Sequence, residues 1–229
     1  MKILIIDNNI DPPFWGSKDI CKAAASTSPG ATLYVRRGPQ EDLPNSPLKY
    51  DRIILSGSKT SALENSAWIN RLLNFLENSI THRVPILGIC FGHQILARLY
   101  SKNTSCVGKA KTPEFGWTPI ELIAESKLLA GLPNRFFSFS AHFEEVTKLP
   151  SGLRTLARSE YCAIQAFEDP SRPVFGIQFH PEKEPQEANF ILRERKKTGI
   201  PKKLFLDQKK KSLYNPRVSE TLFANFLKD

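Results

Sequence analysis

The chain has 229 residues, of which 41% are hydrophobic and 24% are charged, a composition that fits one globular domain over residues 1–229. No apolar stretch approaches the roughly 20 residues of a membrane-spanning helix, and the first residues, MKILIID, are too short an apolar run for a signal peptide. The four cysteines have neither close pairing nor metal-like spacing, so we expect free thiols, no metal, no membrane association and a cytoplasmic location.

The net charge of +9 is concentrated near the C-terminus. Residues 193–217 contain ten Lys or Arg against Glu194 and Asp207, an excess of +8. The rest of the chain is therefore nearly neutral.

The first half of the chain alternates short apolar runs with helical patterns. Predicted strands cover residues 3–6, 32–35, 52–55 and 84–89. The segment AWINRLLNFLEN at residues 67–78 has apolar side chains at helical spacing, and residues 94–100 are predicted to form another helix.

The second half is richer in strands, separated by Pro, Gly and Ser. The predicted strands cover residues 118–123, 136–140, 153–158, 163–168 and 174–178. A last helix is predicted over residues 219–227, with Ser219 as its N-cap. This order predicts an α/β fold with an open, mostly parallel central sheet flanked by helices, and an antiparallel extension.

The stretch LGICFGHQ places Cys90 between two glycines, Gly88 and Gly92, directly after a predicted buried strand. This spacing is typical of a nucleophile elbow, in which a sharp strand-to-helix turn presents the central side chain. The N-terminus of the following helix would favour a thiolate, and the amide of Phe91 could bind an oxyanion. The alternative is a buried structural cysteine in a tight turn.

A second apolar strand ends in the sequence HPE. Side chains two residues apart in an extended segment point to the same side, so His180 and Glu182 can lie together. A carboxylate beside an imidazole fixes its tautomer and supports the imidazolium, as a nucleophile–base–carboxylate set requires. The alternative is a surface ion pair at the end of a strand.

These motifs, GICFGHQ and GIQFHPE, with RIILSGS, EFGWTPIEL and AIQAF in the same order, resemble those of class I (triad-type) glutamine amidotransferases. The resemblance is to the glutaminase domains of GMP synthetase and its relatives. It implies a flavodoxin-like fold, with Cys90 as nucleophile, His180 as base and Glu182 as its orienting partner. It also implies oxyanion donors at Gly57, Ser58 and Phe91, and no cofactor. The residues implied to bind substrate are Gln94, Phe115, Gly116, Trp117 and His142.

The sequence departs from the family at three places. The family typically has two glycines and a proline where this chain has Gly57-Ser58-Lys59, so Ser58 would be strained if the turn required a positive φ. A Ser-His-Gly-Asp segment of the GMP synthetases is Ala141-His142-Phe143-Glu144 here. The third departure is a basic insert at about residues 183–218, in which residues 188–197 could form a helix that 199–201 would end.

The resemblance implies cleavage of the γ-amide of glutamine through a cysteine thioester, with ammonia delivered to a separate synthase. The first alternative is a stand-alone hydrolase of γ-glutamyl peptides or amines, and the second is a catalytically silent, partner-binding relative. The basic insert could be a solvated loop, a lid, or a docking surface, through residues 193–217, for an acidic partner. Nucleic acid is the less favoured partner, since the insert offers few aromatic side chains for stacking.

Overall fold

The computed structural model describes residues 1–10, 16–197, 199, 205–206 and 213–228. These residues form a ten-stranded sheet with helices on both of its faces. The α/β class and the mostly parallel central sheet predicted from the sequence are confirmed. None of the helices among the described residues has both the length and the hydrophobicity of a membrane-spanning segment.

Five parallel strands form one half of the sheet, in the order β2-β1-β3-β4-β9. They are β1 (Lys2–Asp7), β2 (Thr32–Arg37), β3 (Arg52–Leu55), β4 (Ile86–Ile89) and β9 (Val174–Ile177). The three inner strands β1, β3 and β4 are almost continuously apolar and buried, because helices cover both faces. Their carboxyl ends meet at one edge of the sheet, where Cys90 and Gly57 follow β4 and β3.

The other half of the sheet is mainly antiparallel. Its strands are β5 (Val107–Leu122), β6 (Arg135–Val146), β7 (Arg154–Arg158), β8 (Ala166–Asp169) and β10 (Phe205–Leu206). The antiparallel extension predicted from the sequence is thus present. The short β10 comes from the basic insert and pairs in parallel with Phe115 and Gly116 of β5.

In the part of the chain that the structure describes, five α-helices cover the sheet: α1 (Ser17–Thr27), α2 (Ala67–Thr81), α3 (Phe91–Ser101), α4 (Pro185–Lys197) and α5 (Pro216–Leu227). Helices α2 and α3 share one apolar cluster with Leu4 and Ile6 of β1. Helices α1 and α5 share a second cluster with Ile3 and Ile5, which point to the opposite face. Helix α4 packs through Ala188 against β5 and β6 in a third cluster.

Several local predictions need correction or extension. Ser219 is not the N-cap of the last helix: α5 begins at Pro216, and the side chain of Asn215 accepts a hydrogen bond from the amide of Arg217. Helix α1 was not expected from the sequence, and β5 begins eleven residues before the predicted strand, at Val107 instead of residue 118. The helix expected over residues 188–197 is present as α4, which begins at Pro185.

The predicted end of that helix at residues 199–201 falls largely outside the described residues, as do Lys202, Lys203 and Lys209–Lys211 of the basic insert. The assignment of residues 1–229 to a single domain stays a prediction.

Candidate active site

Cys90 lies in the turn between β4 and α3 and has an unusual backbone conformation, with φ 53° and ψ −102°. A non-glycine residue with positive φ is strained by ~1–3 kcal/mol, and such strain is concentrated at functional sites. The amide of Cys90 donates to the carbonyl of Ile177 at 2.8 Å, which ties the turn to β9. The side chain thus sits at the carboxyl end of the parallel strands, where ligands bind in open α/β sheets.

The two glycines around Cys90 permit this sharp turn. A Cβ on Gly88 would lie 2.5 Å from the backbone of Gly92, and a Cβ on Gly92 would lie 2.6 Å from the Cβ of Leu55. Neither distance is compatible with a real side chain. The glycine spacing therefore reflects close packing of α3 against β3 and β4, as the elbow interpretation predicted.

His180 lies beside Cys90 and is hydrogen-bonded to Glu182. Its Nδ1 lies 2.8 Å from Oε1 of Glu182, and both side chains are buried. The amide of His180 donates to the carbonyl of Phe139 at 2.7 Å, which fixes the end of β9 against β6. The alternative interpretation of His180 and Glu182 as a surface ion pair is therefore wrong.

The electrostatics of this pair favour a charged imidazole. Burial favours the neutral form of His180, but its electrostatic and hydrogen-bond interactions with Glu182 and Cys90 outweigh burial and raise the pKa of His180 to about 10. Burial likewise opposes ionisation of Glu182, but the charge of His180 and its hydrogen bond lower the pKa of the carboxyl. An imidazolium next to Cys90 stabilises a thiolate.

Gly57 and Ser58, after β3, lie next to Cys90 and His180. A Cβ on Gly57 would lie 3.0 Å from Cε1 of His180 and 3.5 Å from the Cβ of Cys90, so the glycine leaves room between the two side chains. Neither Gly57 nor Ser58 has a positive φ, so Ser58 carries no strain of the kind considered from the sequence. Phe91 is buried, and its ring stacks on Trp68 at 5.7 Å. Its amide, at the start of α3, has no acceptor within the helix.

A cavity of 520 Å³ opens at Cys90. Gly57, Ser58, His180 and Glu182 line it, and α1 and α4 contribute further charged walls. The charged residues from these two helices and from the turns are Lys18, Asp19, Lys59, Lys183, Glu187, Arg193, Glu194 and Arg195. The first half of the basic insert is thus part of the site.

The five residues implied to bind substrate are not among the lining residues of this cavity. Phe115 and Trp117 are buried between β6 and α4, and Gly116 pairs with Ser140 and Leu206. Gln94 and His142 are buried in a network of hydrogen bonds that reaches Cys90 through Gln178. Their contact with substrate stays a prediction.

Two residues near the triad were missed at the sequence level. Gln178, within GIQFHPE, donates through Nε2 to the sulfur of Cys90 at 3.5 Å. Lys183, directly after HPE, has its ammonium 2.5 Å from Asp19. Burial opposes protonation of Lys183, but the charges of Glu182 and Asp19 outweigh burial and raise the pKa of the ammonium. The partners of both residues are distant in sequence, so no local pattern could have identified these contacts.

Among curated proteins, the chain is similar to a subunit of the glutamine-hydrolyzing GMP synthase of Pyrococcus abyssi. The two are 38% identical over 130 residues, which are 57% of this chain and 65% of that protein. The Pyrococcus furiosus protein of the same name is 37% identical over 135 residues, 59% of this chain and 68% of that one. The match to the first relative thus spans less than two thirds of its length.

Among solved structures, the fold is similar to a glutamine amidotransferase from Thermotoga maritima, with a TM-score of 0.78 at 22% identity over 99% of this chain and 96% of that one. A glutamine amidotransferase from Methylobacillus flagellatus has a TM-score of 0.76 at 21% identity, over 99% of this chain and 94% of that one. The family model "Glutamine amidotransferase class-I" matches residues 23–196, a segment that contains Cys90, His180 and Glu182. The chain therefore belongs to the class-I glutamine amidotransferase family.

Proposed function

We propose that this chain hydrolyses the side-chain amide of glutamine through a thioester on Cys90 and delivers the ammonia to a separate synthase chain. One observation carries the proposal: a strained cysteine lies beside a buried histidine that is hydrogen-bonded to Glu182. A nucleophile, a base and an orienting carboxylate are the groups that acyl transfer needs.

In the first half of the reaction, the thiolate of Cys90 attacks the γ-carbonyl carbon of glutamine, and the carbonyl electron pair moves to oxygen. The imidazolium of His180 then gives its proton to the nitrogen as the carbon–nitrogen bond breaks. Ammonia leaves, and the γ-glutamyl group remains on sulfur as a thioester.

In the second half, the neutral imidazole of His180 takes a proton from water, and the oxygen attacks the thioester. The carbon–sulfur bond breaks to release glutamate, and the thiolate and imidazolium are regenerated. Glu182 holds Nδ1 of His180, so that the other nitrogen faces Cys90 throughout the cycle.

The oxyanion of each tetrahedral intermediate would bind to the amide of Phe91 and to an amide of the turn at Gly57 and Ser58. Both segments flank Cys90, and Ser58 supplies an amide without needing a positive φ. Loss of one such donor typically costs ~3 kcal/mol in the transition state.

A synthase partner is supported by the curated relatives, whose names describe them as subunits of a GMP synthase. We propose that residues 193–217 of the basic insert contact this partner or an acidic acceptor. Helix α4, which contains the first of these residues, places Arg193 and Arg195 at the cavity of Cys90 and ends with Lys196 and Lys197. A partner bound there would lie next to the site that releases ammonia.

The test is a substrate panel with the full chain: glutamine, γ-glutamyl amines and γ-glutamyl peptides, each followed by glutamate release. Glutamine should be cleaved with release of ammonia, and Cys90→Ala should abolish cleavage. Acid quenching during turnover should trap the γ-glutamyl group on the peptide that contains Cys90. Cleavage of γ-glutamyl peptides without cleavage of glutamine would replace the proposal with the stand-alone hydrolase. A wild-type chain that forms no acyl adduct with any of these substrates would refute both.

A further inference from the structure

A continuous series of buried hydrogen bonds leads away from the sulfur of Cys90. It begins at Gln178, which has no exposed surface and lies directly after β9. Nε2 of Gln178 donates to Sγ of Cys90 at 3.5 Å, and its Oε1 accepts from Nε2 of Gln94 at 3.1 Å. The same Nε2 of Gln94 also donates to the carbonyl of Glu144 at 2.8 Å.

These contacts determine which end of the Gln178 amide faces the sulfur. The carbonyl of Glu144 can only accept, so the amide nitrogen of Gln94 must face it. That nitrogen lies next to Gln178, so Gln178 must present its oxygen to Gln94. Its nitrogen is then left to face Cys90, and rotating either amide by 180° would place like groups together.

The carbonyl of Glu144 also accepts a hydrogen bond from His142, which is linked to Glu114 of β5. Nδ1 of His142 donates to the carbonyl at 3.1 Å, and Nε2 of His142 lies 2.9 Å from Oε2 of Glu114. The carboxylate of Glu114, which is fully buried, also accepts from Gln165 at 2.6 Å and from Ser159 at 2.7 Å. The orientation of the carbonyl is therefore set by a side-chain network.

We propose that Gln178 is a catalytic residue that donates a hydrogen bond to the thiolate of Cys90, and that Gln94, His142 and Glu114 are positioning residues that hold its amide in this orientation. The proposal rests on the proposed function, because it assigns a role within the same site. A hydrogen bond to a charged group favours the charged form. Gln178 would thus act together with the imidazolium of His180 to supply thiolate at neutral pH.

The pH dependence of cysteine alkylation tests this role without requiring turnover. Iodoacetamide reacts with the thiolate, and peptide mass mapping reads the rate at Cys90 alone. In Gln178→Met, the side chain keeps its length but loses the donor. The pH of half-maximal alkylation should rise by about one pH unit, with a roughly tenfold slower reaction at pH values below both half-maximal points and a plateau at high pH within about twofold of wild type.

If Gln178 had only a structural role, Gln178→Met would lower the alkylation rate at high pH without moving the half-maximal pH. An unchanged half-maximal pH in folded Gln178→Met would overturn the proposal. If that variant does not fold, Gln178→Leu serves in its place, since it introduces no charge and has no donor. An upward shift supports the proposal, and no shift overturns it. Gln40→Met, at an exposed glutamine, is the matched control and should behave as wild type.

The positioning role is tested by comparing a substitution of Glu114 alone with the same substitution in the Gln178→Met variant. Glu114→Gln should raise the half-maximal pH by less than Gln178→Met, and should add no shift in the Gln178→Met background. A shift that persists unchanged in that background would contradict the positioning role. Failure here is distinct from failure of the proposed function: a wild-type chain that alkylates at Cys90 but forms no γ-glutamyl adduct refutes the function, whatever the variants do.

Discussion

The ammonium of Lys183 lies 2.5 Å from the carboxylate of Asp19, and this largely buried ion pair connects α1 to the residue that follows Glu182. Glu182 is also buried, with one oxygen on His180 and the other without a hydrogen-bond partner among the described residues. Lys183 therefore stabilises the carboxylate of Asp19 and, together with His180, that of Glu182 at the edge of the cavity at Cys90.

Removal of either partner of this ion pair should destabilise the protein. Lys183→Met leaves Asp19 and Glu182 without a nearby ammonium, and Asp19→Asn leaves a buried ammonium underpaired. Each change should lower the free energy of unfolding by ~3 kcal/mol, as is typical when one partner of a buried pair is lost. The double variant Asp19→Asn/Lys183→Met should recover part of this loss, and urea unfolding measures all four proteins. Strictly additive losses would show that the pair is not coupled.

The four cysteines should differ sharply in reactivity. Burial raises the pKa of Cys21, Cys106 and Cys162, most strongly for Cys162, where Glu145 and Glu114 add to the effect. Cys90 instead faces the imidazole of His180. A diazo-ketone analogue of glutamine should therefore modify Cys90 first, as peptide mass mapping can determine. Modification of another cysteine while Cys90 remains free would contradict its assignment as the nucleophile.

The two triad partners should respond differently to substitution. His180→Ala removes the proton donor and base, so turnover should fall by at least ~10³-fold, whereas Glu182→Gln removes orientation and charge and should leave a weaker but measurable activity. Steady-state rates of folded variants, verified by circular dichroism, provide the measurement. Wild-type turnover by His180→Ala would exclude the triad.

The raised pKa of His180 also predicts how stability depends on pH. The folded-state pKa of about 10 exceeds the ordinary value of 6.5, so the folded protein binds this proton more tightly than the unfolded chain. The resulting stabilisation is fully present below pH 6.5 and is lost as pH rises towards 10. Urea unfolding of wild type and His180→Gln at several pH values should show a stability difference that shrinks over this range. A difference that stays constant from pH 6.5 to 10 would mean that no imidazolium contributes.

The proximity of His180 and Glu182 and the sharp turn at Cys90 could be predicted from the sequence because their signals are local. The two glycines around Cys90 lie within a single turn, and His180 and Glu182 are two residues apart on one segment. Each of these patterns has a direct steric or geometric reason.

The surroundings of the triad could not be predicted in the same way. Gln178 meets Gln94 across 84 positions, and Lys183 meets Asp19 across 164. Such pairs depend on the register of strands and on helix packing, which single-sequence periodicity does not specify. At α5, Asn215 followed by Pro216 is a helix-start signal, but the later Ser219 also fits an N-cap, and the sequence alone does not distinguish the two.

We expect some residues of the basic insert to affect glutamine binding in the cavity and others to bind a partner. Arg193 lies at the cavity of Cys90, whereas Lys197, in the last turn of α4, pairs with Glu194 and does not line the cavity. Lys209–Lys211 lie outside the described residues. Replacement of Lys197 and Lys209–Lys211 by Gln should therefore preserve hydrolysis of free glutamine within a few-fold. The same change should weaken binding to an acidic partner.

The salt dependence of partner binding tests whether the lysines and Arg193 have these separate roles. Salt weakens attraction between exposed charges, because the Debye length falls from ~10 Å at 0.1 M to ~3 Å at 1 M. Partner affinity of the wild type should fall steeply with salt, and the lysine variant should show a flatter dependence. Arg193→Gln is the contrasting variant, and it should alter KM for glutamine while changing the salt dependence of partner binding less. If the lysine variant remains folded but loses glutamine hydrolysis outright, these lysines belong to the active site and the two roles are not separate.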